Sequence, residues 1–239
     1  MYSKAFCKVY NEFGWNYFPQ AFGEQLLKWI EQNQVTVRTS LDLACGTGIL
    51  CEILSAHGIQ ASGMDFSEGM IAIARENHPE ICYEVADMIQ YCPDKRFDLV
   101  TCTGDALNHI LDLEDVERIF RNVYAYLNEG GYFIFDILNE KEIPSEEPFE
   151  LEFDEKTKAE FSVLRDARGR IHLRTKVFEE GKEEFEEEIV ETVHEREAVC
   201  GMLRKCGFEV VRWADSLLEG DEAHGTTWFV IARKGGLNL

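Results

Sequence analysis

The stretch Leu41-Asp-Leu-Ala-Cys-Gly-Thr-Gly-Ile-Leu50 decides the fold. Its apolar opening, Leu41, Leu43 and Ala44 interrupted by Asp42, suits a strand buried in a parallel sheet. Gly46 and Gly48 supply a turn in which the backbone can take positive φ and come close to a ligand. Ile49, Leu50, Ile53 and Leu54 recur at helical spacing, so a helix opens directly behind the turn. Its first N–H groups then point at whatever sits over the glycines. The pattern predicts a cradle for a small molecule; a tight strand-to-helix turn with no ligand is the plain alternative.

Downstream residues extend the pattern. Ile59-Gln-Ala-Ser-Gly-Met-Asp65 reads as a second strand ending in an acid, the position from which a ribose diol is hydrogen-bonded. A helix follows with Ser67 as its cap and Met70, Ile71, Ile73 and Ala74 as its apolar side. A third strand, Ile81 to Ala86, ends in Asp87-Met88. A fourth, Phe97 to Cys102, runs into Thr103-Gly-Asp-Ala-Leu-Asn-His109. Four strands in succession deliver polar residues at their carboxyl ends, the edge where open α/β sheets bind ligands.

These residues resemble the Rossmann-like (class I) S-adenosylmethionine-dependent methyltransferases of small-molecule type, over most of the chain outside 145–195. DLACGTG is similar to that family's first motif, with Ala44 where glycine is more usual. GMDFSEGM is similar to its second-strand motif, VADM to its adenine-binding motif, and FDLVTCTGDALNHI to the segment beside the methionine end of the cofactor and the acceptor. Leu127-Asn-Glu-Gly130-Gly131 matches the turn before the fifth strand, although Asn128-Glu129 stands where a basic residue and proline are frequent. The resemblance implies an α/β fold with a seven-stranded, mostly parallel sheet, an antiparallel last strand beside the fifth, and helices on both faces. It implies that Gly46, Gly48, Asp65, Asp87 and Met88 hold S-adenosyl-L-methionine, the product being S-adenosyl-L-homocysteine. Asp42 would support the glycine turn and the cofactor's amino end. Cys102 and Thr103 would meet the methionine moiety through their backbone.

A nicotinamide or flavin dinucleotide is the rival cofactor. Its G-x-G-x-x-G counted from Gly46 requires glycine at Cys51, and counted from Ala44 at Ile49. That third glycine serves close helix–strand packing beneath a pyrophosphate. S-adenosylmethionine carries no phosphate and needs no such arrangement.

Composition narrows the partners. The 239 residues, 45% hydrophobic, support one large domain with elaborations. No run of 18 apolar residues occurs, and Met1-Tyr-Ser-Lys-Ala-Phe lacks the form of a signal peptide, so a soluble cytoplasmic protein is expected. Eight cysteines show no C-x-x-C and no metal-like pairing, so they read as small buried residues and no metal is expected. The net charge of −21 leaves no basic stripe for a nucleic acid and discourages an anionic membrane. It tilts the acceptor toward neutral or cationic small molecules.

The elaborations flank a core expected over 34–144 and 195–239. Residues 1–33 read as two aromatic-rich helices, the second carrying Phe22, Leu26, Leu27 and Ile30 on one side. In the resembling enzymes such a segment lies over the cofactor as a lid, which makes Tyr10 and Tyr17 candidates for the acceptor side; core packing is the alternative for each. Residues 145–194 alternate with period two and predict an inserted antiparallel β cap. Phe149, Leu151 and Phe153 share a face, as do Ile171, Leu173, Thr175 and Val177. The row Arg170, His172, Arg174, Lys176 is expected to pair across strands with Glu184, Glu186 and Glu188 on a solvated face. Arg168-Gly169 and Glu180-Gly181 supply turns. The apolar faces would cover the site or form a homodimer contact. A helix from Arg196 to Cys206, a strand from Phe208, a loop from Asp215 to Gly225 and a last strand from Thr226 complete the chain. His224 falls in that loop, where a solitary histidine is ordinarily solvated.

A sulfonium methyl is already electrophilic, so catalysis consists chiefly of placing an acceptor lone pair about 3 Å from it, in line with sulfur. A base is needed only for a protonated acceptor. His109 is the candidate base, because its unperturbed pKa of about 6.5 suits proton transfer near neutrality. Asp105 reads as a helix cap, with orienting a cationic acceptor or His109 as the alternative, and Asp112 reads as the cap of the next helix. The expected activity is methyl transfer to a small molecule, at nitrogen first and oxygen next. The alternatives are a protein or RNA methyltransferase and a non-catalytic S-adenosylmethionine sensor.

Overall fold

The computed structural model describes residues 6–7, 10–11, 14, 16–139, 148–152, 156–218 and 227–235. Expectations for Phe13, Trp15, Phe153 and His224 lie outside the described residues. The ordered elements begin with α1 (Tyr17–Gln32), β1 (Thr39–Leu43), α2 (Ile49–Ala56), β2 (Gln60–Asp65), α3 (Glu68–Asn77), β3 (Cys82–Val85) and β4 (Phe97–Cys102). A short 3-10 turn (Ala106–His109), α4 (Leu113–Tyr126) and β5 (Leu127–Leu138) follow. Then come β6 (Phe149–Glu152), β7 (Thr157–Arg165), β8 (Ile171–Glu179), β9 (Lys182–Glu191), α5 (Arg196–Lys205), β10 (Phe208–Ala214) and β11 (Thr227–Lys234).

Seven of these strands form one sheet in the order β10-β11-β5-β4-β1-β2-β3. Pairing is parallel from β3 through β5, and β11 runs antiparallel between β5 and β10. Order reverses at β1, whose neighbours are β2 and β4, and this opens the crevice at the carboxyl ends of those strands. Both sheet faces are covered. On one, Phe22, Leu26 and Trp29 of α1 and Leu50 and Leu54 of α2 pack with Leu99, Ile134 and Ile231. On the other, Phe120 and Val123 of α4 and Leu203 of α5 pack with Leu41, Leu43, Phe133 and Phe135. Each such side chain removed from water contributes roughly 1.5–3 kcal/mol. Among the described residues no helix is long and apolar enough to cross a membrane.

The second sheet is antiparallel, in the order β6-β7-β8-β9. The charge ladder forms at Glu186 and Glu188, with Arg174 3.1 Å from Glu186 and 3.2 Å from Glu188, whereas a register shift beyond Val177 brings Glu183, not the expected Glu184, to 3.7 Å from Lys176. Glu180 (φ 50°) and Gly181 (φ 80°) make a two-residue β8–β9 turn with both residues left-handed, the twist that antiparallel strands accept best. Two expectations are corrected. Strand β7 intervenes where none was read, and Leu151, read with an apolar face, is 45% exposed. The opposite apolar face of β9 is covered instead: Phe185 and Ile189 pack with Phe6, Met70 and Ile73.

Asn108 joins this sheet to the core. It is fully buried, its Nδ2 donates to Thr192 O at 2.7 Å, its Oδ1 accepts from Leu138 N, and its carbonyl accepts from Thr192 N. His194, also buried, stands 3.0 Å from Leu107 O, and burial pushes its pKa down. The end of β9 is thereby fixed to the 3-10 turn.

Two positions under the crevice hold measurable strain. Gly48 sits at φ 86° at the start of α2, where a Cβ would stand 2.9 Å from Tyr83 Cζ and closer still to its hydroxyl. We expect Gly48→Ala to cost at least about 2 kcal/mol, from left-handed strain and overpacking, read as a Tm fall of roughly 4–8 °C. Asp42 is buried in β1 opposite Thr101 of β4, whose hydroxyl donates to it at 2.6 Å. Burial, with a lesser contribution from Asp65, raises its pKa to about 7 despite the Thr101 bond. Because the folded value lies above the unfolded value of about 3.9, this carboxyl destabilises the fold increasingly as pH rises from 4 through 7. Asp42→Asn is therefore expected to raise the Tm of the ligand-free protein at pH 8 and to leave it unchanged at pH 4. An equal effect at both pH values would refute the buried charge.

Candidate active site

The carboxyl ends of β1, β2 and β4 surround a cavity of about 520 Å³, within the roughly 300–1,000 Å³ of small-molecule sites. Gly46, Asp65, Asp87, Met88, Thr103, Tyr10 and His109 all line it. Ala44 lines it too, with φ 55° in the left-handed region that usually calls for glycine. Gly46, at φ 53°, has no atom within 4 Å of where a Cβ would stand, so its backbone lies open to the cavity.

Asp65 lines the cavity and bridges two turns. Its Oδ2 accepts from Gly46 N at 2.9 Å and its Oδ1 from Ser67 N at 2.8 Å, so one side chain ties the glycine turn to the entry of α3. Burial raises its pKa, opposed by those two bonds and by the charge of His109. Ser67 caps α3 as expected, accepting from Met70 N at 3.3 Å. Asp87 accepts from Ile89 N at 2.9 Å, which presents Met88 and Ile89 at the rim.

His109 lines the same cavity. Its Nε2 lies 3.6 Å from both Asp105 Oδ1 and Glu191 Oε1. Burial would lower its pKa, but the hydrogen bond it donates to Asp105 and the charges of Asp105 and Glu191 outweigh it and the pKa rises. Glu191 is itself pushed up to about 7, by burial first and by Asp105 next. His109, Asp105 and Glu191 bring one ligand atom each within 4.8 Å of one another, the start of a donor set for a divalent cation. Asp136 on β5, fully buried, accepts from Asp105 N at 3.1 Å and so holds the turn that carries Asp105.

Several expected site residues stand elsewhere. Tyr17 is 72% exposed on the first turn of α1, because the helix starts there and turns its side chain to solvent. Asp42 lies beneath the cavity on Thr101, and Gly48 beneath it against Tyr83. Cys102 is completely buried among the core residues of β4 and does not line the cavity. Asp105 makes no side-chain cap, since at φ 52° it turns toward His109 instead. Asp112 likewise precedes α4 without a side-chain cap bond.

Three residues were missed: Glu187, Glu191 and Asp136. The acidic run of β9 was read as one solvated face. Strand alternation puts Glu184, Glu186 and Glu188 on one side and Phe185, Glu187, Ile189 and Glu191 on the other, so the signal was the parity of the two glutamates with their apolar neighbours. Tyr10 reaches the cavity through the N-terminal segment, where Asn11 Oδ1 accepts from Thr47 Oγ1 at 3.0 Å beside the glycine turn. Its phenol is kept protonated by burial first, then by Asp105 and Asp65.

A family model described as a methyltransferase domain matches residues 41–131. A ubiquinone biosynthesis O-methyltransferase of Coxiella burnetii (strain RSA 493 / Nine Mile phase I) is 37% identical over 121 residues, 47% of this chain and 49% of that protein. A dTDP-4-amino-2,3,4,6-tetradeoxy-D-glucose N,N-dimethyltransferase of Saccharopolyspora spinosa is 29% identical over 96 residues, 40% of this chain and 39% of that protein. The chain thus spans half or less of the length of these relatives. Among solved structures, an S-adenosylmethionine-dependent methyltransferase of Clostridium acetobutylicum superposes with a TM-score of 0.79 at 22% identity, covering 91% of this chain and 92% of that one. CalS10, an amino pentose methyltransferase of Micromonospora echinaspora solved with S-adenosylmethionine bound, gives 0.76 at 18% identity, covering 98% of each. At such identities the likeness is one of fold. The matched methyltransferase domain occupies the strands that build the cavity, and the fold of the chain is that of these Rossmann-like methyltransferase structures.

Proposed function

We propose that the chain transfers the methyl group of S-adenosylmethionine to a small-molecule acceptor, at nitrogen in preference to oxygen. The observation that carries this reading is one cavity lined by Gly46, Asp65 and Asp87 together with His109. The residues present suit the cofactor. The open backbone at Gly46 admits a close approach, the Asp65 and Asp87 carboxylates can accept from hydroxyl and amino groups, and Met88 and Ile89 offer apolar surface to a flat ring. Bound there, the sulfonium supplies an electrophilic methyl group, and the protein's remaining task is to place a lone pair and hold a proton.

For the proton, His109 is the group at the cavity wall. Asp105 and Glu191 favour the imidazolium that forms when it accepts one, so both serve as positioning residues acting through His109. The hydrogen bond to Asp105 and the charges of Asp105 and Glu191 raise the pKa of His109, and burial raises that of Glu191 to about 7, so the three groups titrate as one cluster that favours a proton on the imidazole. Nitrogen is favoured because an amine arrives protonated and needs such a group. The N-terminal segment and the inserted sheet, which contribute Tyr10 and β9, form the lid and cap of this reading.

Cofactor binding is tested first by thermal shift. At a hundredfold excess over Kd, S-adenosylmethionine and S-adenosylhomocysteine should each add about 2.7 kcal/mol, while NAD and NADP add nothing. Asp65→Ala should weaken both adenosyl compounds at least about tenfold; a shift with the dinucleotides alone would overturn the reading. His109→Ala should keep cofactor affinity and lose methyl transfer. Glu191→Gln should keep affinity too and move the pKa of His109 downward, as read by NMR titration. Transfer that survives His109→Ala would reduce the histidine to a structural group.

A further inference from the structure

We propose that a second cavity, between α5 and the edge strand β10, binds a small molecule through a phosphate group. The site is independent of the methyltransferase reading, because among the described residues the two cavities share no lining residue.

This cavity measures about 390 Å³, within the range that small-molecule sites occupy. Its charge runs against the rest of the chain. Acidic residues outnumber lysine and arginine 45 to 24 overall, yet here Arg196, Arg204 and Arg212 stand with one acid, Glu197. Strand β10 is outermost on its side of the sheet, four places from β1. At the usual spacing of neighbouring strands that puts it roughly 19 Å across the sheet from the crevice.

The surrounding structure prepares the arginines. Arg212 is held in place, its Nε donating to Ser216 O at 3.2 Å and its Nη2 to Leu218 O at 3.1 Å. The register shift between Val210 and Arg212 breaks the alternation of β10, so Arg212 and Trp213 both line the cavity although they are successive residues. Arg196 lies over the Trp213 ring, 5.2 Å from its centroid. That contact steadies the planar guanidinium and leaves its in-plane N–H groups able to donate. Arg204 follows two turns along α5, roughly 12 Å further on at the helical rise. Among the described residues no carboxylate pairs with Arg196 or Arg204.

Chemistry selects the anion. A carboxylate presents one edge, which a single guanidinium fork fills. A phosphate group is tetrahedral and offers oxygens to several forks at once, so arginines arriving from two elements suit it better. Its charge of about −1.5 to −2 at pH 7 also matches a cavity in which the arginines outweigh the one glutamate.

The test uses the full chain and inorganic phosphate, with chloride holding ionic strength constant so that general screening drops out. Phosphate should shift the indole N–H resonance of Trp213 saturably in heteronuclear NMR spectra, since Arg196 lies on that ring. The double variant Arg196→Gln, Arg204→Gln should weaken phosphate at least about tenfold, the scale of one charge-assisted hydrogen bond. Both arginines are exposed, so the double variant should keep the wild-type fold. Arg168→Gln, in the β7–β8 turn, should bind phosphate as the wild type does. No saturable shift at Trp213, or equal affinity in the double variant, would overturn the site. So would an equal loss in Arg168→Gln, which would mark general charge attraction. If the double variant fails to fold, the wild-type shift at Trp213 decides the matter alone.

Discussion

The site depends on one carboxylate shared between two turns. Asp65 stands at the end of β2, and its two oxygens accept one backbone N–H from the glycine turn and one from the entry of α3. Those N–H groups belong to backbone that no helix or strand bond satisfies, so without Asp65 both turns would lose the side-chain acceptor of these donors. The crossed strand order makes the sharing possible, since β1 and β2 are parallel neighbours and end at the same edge. A ligand held over Gly46 then meets a backbone already fixed in position.

Strain and buried charge gather around this point. Ala44, Gly46 and Gly48 all adopt positive φ, Asp42 is buried on Thr101, and Asp136 is buried under the turn that carries Asp105. None of these helps the fold by itself. The carboxyls of Asp42 and Asp136 are pushed up by burial, so their ionised forms oppose folding. The two hydrophobic layers on either face of the sheet offset that cost. Local rules are broken at the crevice and obeyed in the layers, the distribution expected where structure is held for chemistry.

The insert acts through a single buried amide. Asn108 satisfies both its own side-chain groups on partners from β5 and from the end of β9, and this fixes where β9 lies against the core. Two glutamates of β9 reach the site as a result, Glu187 in the wall and Glu191 beside His109. Side chains on one face of a strand move together, so any shift of this docking would move both at once.

Much was legible in sequence because it is local. The glycine turn, the acids ending β2 and β3, the cap at Ser67, the helical spacing of α2 and α3 and the charge ladder between β8 and β9 all depend on residues a few positions apart or directly opposed. Period and turn chemistry specify these before any tertiary contact forms. Other features needed the assembled chain. Asp105 read more readily as a cap than as a partner of His109, because their shared neighbour Glu191 joins them only when the insert returns to the core. Tyr10 and Tyr17 looked equivalent, yet one lines the cavity and the other is mostly solvent-exposed. Sequence alone thus determined the fold class and the glycine turn with its supporting acid, where side chain and backbone partners are close along the chain or set by the strand edge. Tertiary structure decided the surroundings of His109, because their charge balance is the sum of groups from β4's loop, β9 and the N-terminal segment, whose meeting no local pattern encodes.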